Sequence, residues 1–221
     1  MVDLELAKRM ILAPLTTDTT AQDIEQFAKD LTGIEIYSVI VDEYYISLAK
    51  ELMPGRKVGT IASYPFGGFT TEMNVKLIEQ AVALGCSEVD ICPKFNYLKS
   101  GKYELAKPDL RRIVEAAQGK LAIVAVPQVG QMTLNELEKN CKLFLECGIR
   151  IIKTNSGFGQ GESQFEHIQF VRRIFGKDIE IEVSGGVRTR EDARRYLELG
   201  ADRIHSSTWK SVIGWEGEAA K

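Results

Sequence analysis

Eight times along the chain, a short run of apolar and β-branched residues gives way to a stretch with helical periodicity. The strand-like runs fall at 10–13, 34–41, 58–63, 88–92, 121–126, 150–154, 179–183 and 203–206. Between them, apolar residues recur at helical spacing, as in Ile24, Phe27, Ala28 and Leu31, or Leu110, Ile113, Val114 and Ala117. Helix starts are marked by Thr19 or Thr20, by Thr70-Thr71-Glu72, by the capping-box pattern Thr133-Leu134-Asn135-Glu136, and by Thr189-Arg190-Glu191-Asp192. Such alternation predicts an α/β fold with a parallel sheet, because parallel neighbours need a long crossover and a helix both spans the gap and covers the sheet. No linker or change of composition interrupts the 221 residues, so one domain is expected over 1–221. Eight repeats favour a closed (β/α)8 TIM barrel near the short end of its size range. The alternative is an open doubly wound sheet, but the glycine fingerprint of a dinucleotide-binding sheet is absent near the first strand.

Charge and composition narrow the function. The net charge is -3 and no long run of like charge occurs, which argues against a nucleic-acid partner. The apolar runs are of strand length, far short of the roughly 18 residues a membrane helix needs. The stretch Met1-Val2-Asp3-Leu4-Glu5 lacks the basic-then-apolar layout of a signal peptide. A cytoplasmic protein without membrane association is expected. Cys86, Cys92, Cys141 and Cys147 then read as reduced, mostly buried thiols, and their spacing does not match common zinc patterns.

A weak internal repeat points to where chemistry would sit. Three helices end in a glycine that leads into a strand: Leu84-Gly85-Cys86-Ser87-Glu88-Val89-Asp90, Cys147-Gly148-Ile149-Arg150-Ile151-Ile152-Lys153 and Leu199-Gly200-Ala201-Asp202-Arg203-Ile204-His205. Glycine after a helix is the left-handed cap. Equal spacing from that cap puts Asp90, Lys153 and His205 at similar heights, near the strand ends where barrel enzymes hold their catalytic groups. A lysine closing an apolar strand needs a reason, since burying an ammonium is costly unless it is paired or loses its proton. It can be a nucleophilic amine at a barrel mouth or half of a structural ion pair. On the fourth strand, period-two alternation gives Asp90, Cys92 and Lys94 one face until Pro93 intervenes. A carboxylate and an amine there can do acid–base work or form an internal salt bridge. The seventh strand opens into Ser184-Gly185-Gly186-Val187-Arg188-Thr189 at a helix start, where backbone N–H groups favour an anion. With Ser206-Ser207 after the eighth strand, this places a phosphate site at Gly185, Gly186, Ser206 and Ser207, in the usual barrel position.

These residues together resemble deoxyribose-phosphate aldolase. The resemblance is carried by Phe66-Gly67-Gly68-Phe69-Thr70-Thr71-Glu72, Glu88-Val89-Asp90, Leu98-Lys99-Ser100-Gly101, Lys153-Thr154-Asn155-Ser156-Gly157-Phe158 and Ser184-Gly185-Gly186-Val187-Arg188-Thr189. It implies a class I aldolase that cleaves 2-deoxyribose 5-phosphate to acetaldehyde and glyceraldehyde 3-phosphate. No cofactor beyond the covalent Schiff base and no metal is implied. Lys153 would form the Schiff base, Asp90 would help move the proton, and Gly185, Gly186, Ser206 and Ser207 would hold the phosphate. The expected partner is a small phosphorylated sugar or aldehyde, and the oligomeric state stays open.

The chain departs from the family pattern in four places, one of them Ile11-Leu12 on the first strand, where the family has an Asp-His pair. A second lysine is expected two residues before Ser184, where this chain has Glu182. A carboxylate there stabilises the ammonium of Lys153 instead of opposing it. Lys94 stands where the family has an asparagine. It is expected to reach over Lys153 and replace the missing cation, held there by Glu182. His205 replaces a glycine before the closing serine pair. Two other readings stay beside the deoxyribose-phosphate lyase: an aldolase for another sugar phosphate, and a non-catalytic sugar-phosphate binder.

Overall fold

The computed structural model describes residues 2–215. Eight parallel strands, β1 (Met10–Leu12), β2 (Ser38–Ile40), β3 (Val58–Ala62), β4 (Glu88–Ile91), β5 (Ala122–Ala125), β6 (Ile151–Lys153), β7 (Glu180–Val183) and β8 (Arg203–His205), close into a barrel in sequence order. The first and last are joined through Met10–Ile204 and Ile11–His205. The expected α/β class and single (β/α)8 barrel are both observed. Ten α-helices occur among the described residues. Those that frame the site are α4 (Thr71–Ala83), α5 (Phe95–Lys99), α6 (Tyr103–Ala117), α7 (Leu134–Glu146) and α9 (Arg190–Glu198). The tail expected after the last strand begins as the short helix α10 (Trp209–Ile213), and the rest of it lies outside the described residues.

Local signals set the helix starts. Thr133 accepts from Glu136 N–H at 3.2 Å while the Glu136 carboxylate accepts from Thr133 N–H at 2.8 Å, the reciprocal cap its sequence suggested. Thr189 and Asp192 do the same for α9. The second strand is shorter than its apolar run. Ile34 and Ile36 are buried, but the neighbouring strand is first met by Tyr37, whose N–H donates to Met10 O at 2.9 Å. Burial against helices, not pairing, explains the apolar lead-in.

Register then sorts the side chains into two layers. Partners in a parallel ladder share a face. Ile11 pairs with Ser38 and His205, Ile61 with Asp90, Asp90 with Val124, Lys153 with Glu182, and Glu182 with Arg203. All of these face the lumen. The opposite face, with Leu12, Val39, Ile91, Ile123, Ile152, Ile181 and Ile204, packs on the helices in one continuous apolar cluster. Each such side chain contributes about 1.5–3 kcal/mol by leaving water. Stability therefore resides mainly outside the sheet, and the lumen mixes apolar residues such as Ile11, Ile61 and Val124 with charged groups.

Candidate active site

The lumen holds Lys153 and Asp90 as a direct pair. Lys153 is the last residue of β6, and its Nζ donates to Asp90 Oδ2 at 2.7 Å. The two side chains are only 3% and 1% exposed. Burial by itself would push the lysine down, but Asp90, Glu182 and Glu88 outweigh it and hold the ammonium above its ordinary range. At rest Lys153 is a cation.

His205, at the third repeat position, is in the same lumen. Its Nδ1 lies 2.9 Å from Ile11 O, and a carbonyl can only accept, so that nitrogen carries the proton. Burial, with the Lys153 charge nearby, pushes its pKa down to about 3, so the ring is neutral at pH 7 and leaves Nε2 as an acceptor. Asp90, Lys153 and His205 thus occupy one chamber, as their common spacing from the three capping glycines implied.

Glu182 is fully buried beside them. Its Oε1 accepts from Arg203 Nη1, while Nη2 of the same guanidinium bonds Glu180. Arg203 also stacks over the Tyr37 ring at 4.1 Å. Burial and the nearby Glu88 and Asp90 push the Glu182 carboxyl well above the usual carboxylate range, and the Lys153 ammonium acts against that push. Three lumen carboxylate oxygens, Glu88 Oε1, Asp90 Oδ1 and Glu182 Oε2, are buried without a hydrogen-bond partner among the described residues.

Lys94 does not join this group, and its expected role over Lys153 must be corrected. β4 ends at Ile91 and the chain turns at Pro93, so period-two alternation no longer governs position 94. Lys94 caps α5 and sends Nζ outward to Asp109 Oδ1 at 2.8 Å and Thr71 Oγ1 at 3.2 Å, on α6 and α4. Glu182 is held by Arg203, not by Lys94. Sequence reasoning passed over Arg203, although the signal was present: it lies two residues before His205 and so shares its face of β8.

Above the pair opens a cavity of 580 Å³ lined by Lys153, Tyr64, His205 and the loops after β6, β7 and β8. Gly185 and Gly186 line it with φ of +83° and +90°, a backbone region that side chains rarely adopt. Ser206 and Ser207 line it as well. Ser206 Oγ donates to Val187 O at 2.7 Å and accepts from Thr208 N–H, which ties the last two loops together. Thr154, Asn155 and Ser163 all donate to Ser184 O, fixing the β6 loop against the β7 loop. The site loops are thus braced by buried polar bonds. The four cysteines are free and buried. Among the described residues, no group of three His, Cys, Asp or Glu side chains is placed to hold a metal.

A closed parallel barrel whose mouth presents a buried lysine–carboxylate pair under a polar cavity is a barrel of the aldolase type. The chain is 33% identical over 201 residues to a deoxyribose-phosphate aldolase of Clostridium novyi, covering 90% of each chain. It is 30% identical over 212 residues to one from Bacillus cereus, covering 95% of each. A solved structure described as "QR15, an Aldolase" superposes with a TM-score of 0.89 at 28% identity, covering 97% of this chain and 96% of the other. A family model for histidine biosynthesis proteins also matches residues 158–212, about the last two strand–helix units. The chain belongs to the deoxyribose-phosphate aldolase family.

Proposed function

We propose that this chain is a class I aldolase that makes and breaks a C–C bond in a phosphorylated sugar through a Schiff base on Lys153, with 2-deoxyribose 5-phosphate as its substrate. The observation that carries the reading is the 2.7 Å bond from Lys153 Nζ to Asp90 Oδ2 beneath the cavity. The substrate carbonyl enters over Lys153 and displaces water. Desolvation weighs on the ion pair more than on its neutral form, so a proton passes from Nζ to Asp90. The free amine attacks the carbonyl carbon and gives a carbinolamine. Asp90 returns its proton to the departing hydroxyl, which leaves as water, and the iminium forms. A base removes the substrate's β-hydroxyl proton. The C–C bond breaks, its electrons enter the iminium, and an enamine remains after glyceraldehyde 3-phosphate departs. Protonation and hydrolysis of the enamine release acetaldehyde. Backbone N–H groups at Gly185 and Gly186, with the Ser206 and Ser207 loop, hold the distal phosphate and so fix the carbonyl's distance from Lys153.

Glu182 raises the demand on this mechanism, because it favours the ammonium. This supports a second reading, a sugar-phosphate binder that keeps the barrel without the chemistry. The two are separated by assaying acetaldehyde release from 2-deoxyribose 5-phosphate. The lyase reading expects release that is abolished in Lys153→Ala. Binding of the sugar phosphate without release at any pH would establish the binder instead.

A further inference from the structure

His205 puts an imidazole into the chamber at a position where the family pattern has a glycine. Register fixes its place there. Asp90 pairs with Val124 and Val124 with Ile151, and Lys153 lies two residues further along β6. Lys153 pairs with Glu182 and Glu182 with Arg203, and His205 lies two residues further along β8. His205 pairs with Ile11 and Ile11 with Ser38, and Ile40 lies two residues further along β2. Equal steps over alternate strands generate one layer of four side chains in an eight-stranded barrel. Lys153 therefore has Asp90 on one flank, His205 on the other and Ile40 opposite. The flanks differ in chemistry. Asp90 already holds the Lys153 ammonium at 2.7 Å. His205 is anchored through Nδ1, 2.9 Å from Ile11 O, and lines the cavity together with Lys153. Its Nε2 keeps a lone pair that no other described residue engages.

We infer that His205 is a catalytic base of this chain: its Nε2 accepts a hydrogen bond from the β-hydroxyl of the Lys153-bound substrate and takes that proton as the C–C bond breaks. The role rests on the Schiff-base lyase reading of the same site. The O–H bond breaks, and its electrons form the carbonyl of the departing aldehyde. The C–C electrons enter the iminium, which becomes a neutral enamine, and the proton goes to Nε2. One positive charge thus passes from the Lys153 nitrogen to the imidazole, and the total charge of the site is unchanged. Burial and the Lys153 charge keep the resting ring neutral. The second of these is withdrawn as the enamine forms, so the ring gains basicity at the step that uses it. The imidazolium then gives its proton to the enamine carbon. That restores an iminium, now of acetaldehyde, for hydrolysis, and leaves His205 neutral for the next turnover.

The test compares the wild type with His205→Gln and His205→Gly. The readouts are acetaldehyde release from 2-deoxyribose 5-phosphate, deuterium uptake into the methyl group of acetaldehyde in heavy water, and borohydride trapping of acetaldehyde on Lys153. Both variants should lose release and deuterium uptake roughly a hundredfold or more, through kcat, and keep trapping within about threefold of the wild type, because Asp90 and Lys153 suffice to form the iminium. Release within about threefold of the wild type in both variants would overturn the inference. Parallel loss of all the readouts in both variants would overturn it as well, since His205 would then only shape the chamber. A wild type that neither traps nor releases acetaldehyde would defeat the lyase reading and this role with it, whereas an active wild type with equally active variants defeats this role alone.

Discussion

At the scale of the residue, the account turns on how Lys153 is held. Asp90 bonds it, while Glu182 adds negative charge from the neighbouring strand. At pH values where Glu182 is ionised, Glu182→Gln removes that charge, so Lys153 yields its proton at lower pH. The acid limb of Schiff-base formation is expected to move to lower pH, with severalfold more adduct at neutral pH, read by reductive trapping across a pH series. Lys94 belongs to a different ion pair. Lys94→Ala is expected to leave adduct formation close to that of the wild type. It should cost about 2 kcal/mol in denaturant unfolding, because Asp109, 4% exposed, loses its charged partner.

At the scale of the element, the loops that shape the mouth depend on close backbone approach. Gly67 has a φ of +66°, and a Cβ there would stand 2.0 Å from Pro93 O, at the exit of β4. Gly67→Ala must move that exit or its own loop. A loss of about 2 kcal/mol or more is expected in denaturant unfolding, with weaker Schiff-base formation, because Asp90 sits three residues before Pro93. The elements themselves were largely readable from sequence, because period-two runs, caps and helical faces are local. Asp90, Lys153 and His205 were readable as a set because a glycine cap fixes the distance to each strand. Lys94 was misread because alternation was carried past the end of β4. Arg203 was missed because its partner, Glu182, lies 21 residues away and only the ladder register brings the two together.

At the scale of the whole molecule, the barrel separates an apolar outer layer that stabilises it from a charged lumen that strains it. His205 gives that separation a pH signature. Its folded pKa of about 3 lies below the ordinary value of about 6.5. As pH falls from about 6.5 toward 3, the unfolded chain takes up a proton that the folded chain refuses, so stability is lost through that window. His205→Gln should lose less stability than the wild type between pH 7 and pH 5, as measured by denaturant melts at both. The lumen carboxylates make Lys153 hard to deprotonate, while its enclosure makes it, once neutral, a strong nucleophile. The direct measurement is borohydride trapping with acetaldehyde from pH 6 to pH 10, followed by mass mapping of the modified peptide. The account predicts a reduced adduct on Lys153 that grows as pH rises. Absence of an adduct on Lys153 at every pH, with the barrel still folded, would contradict it.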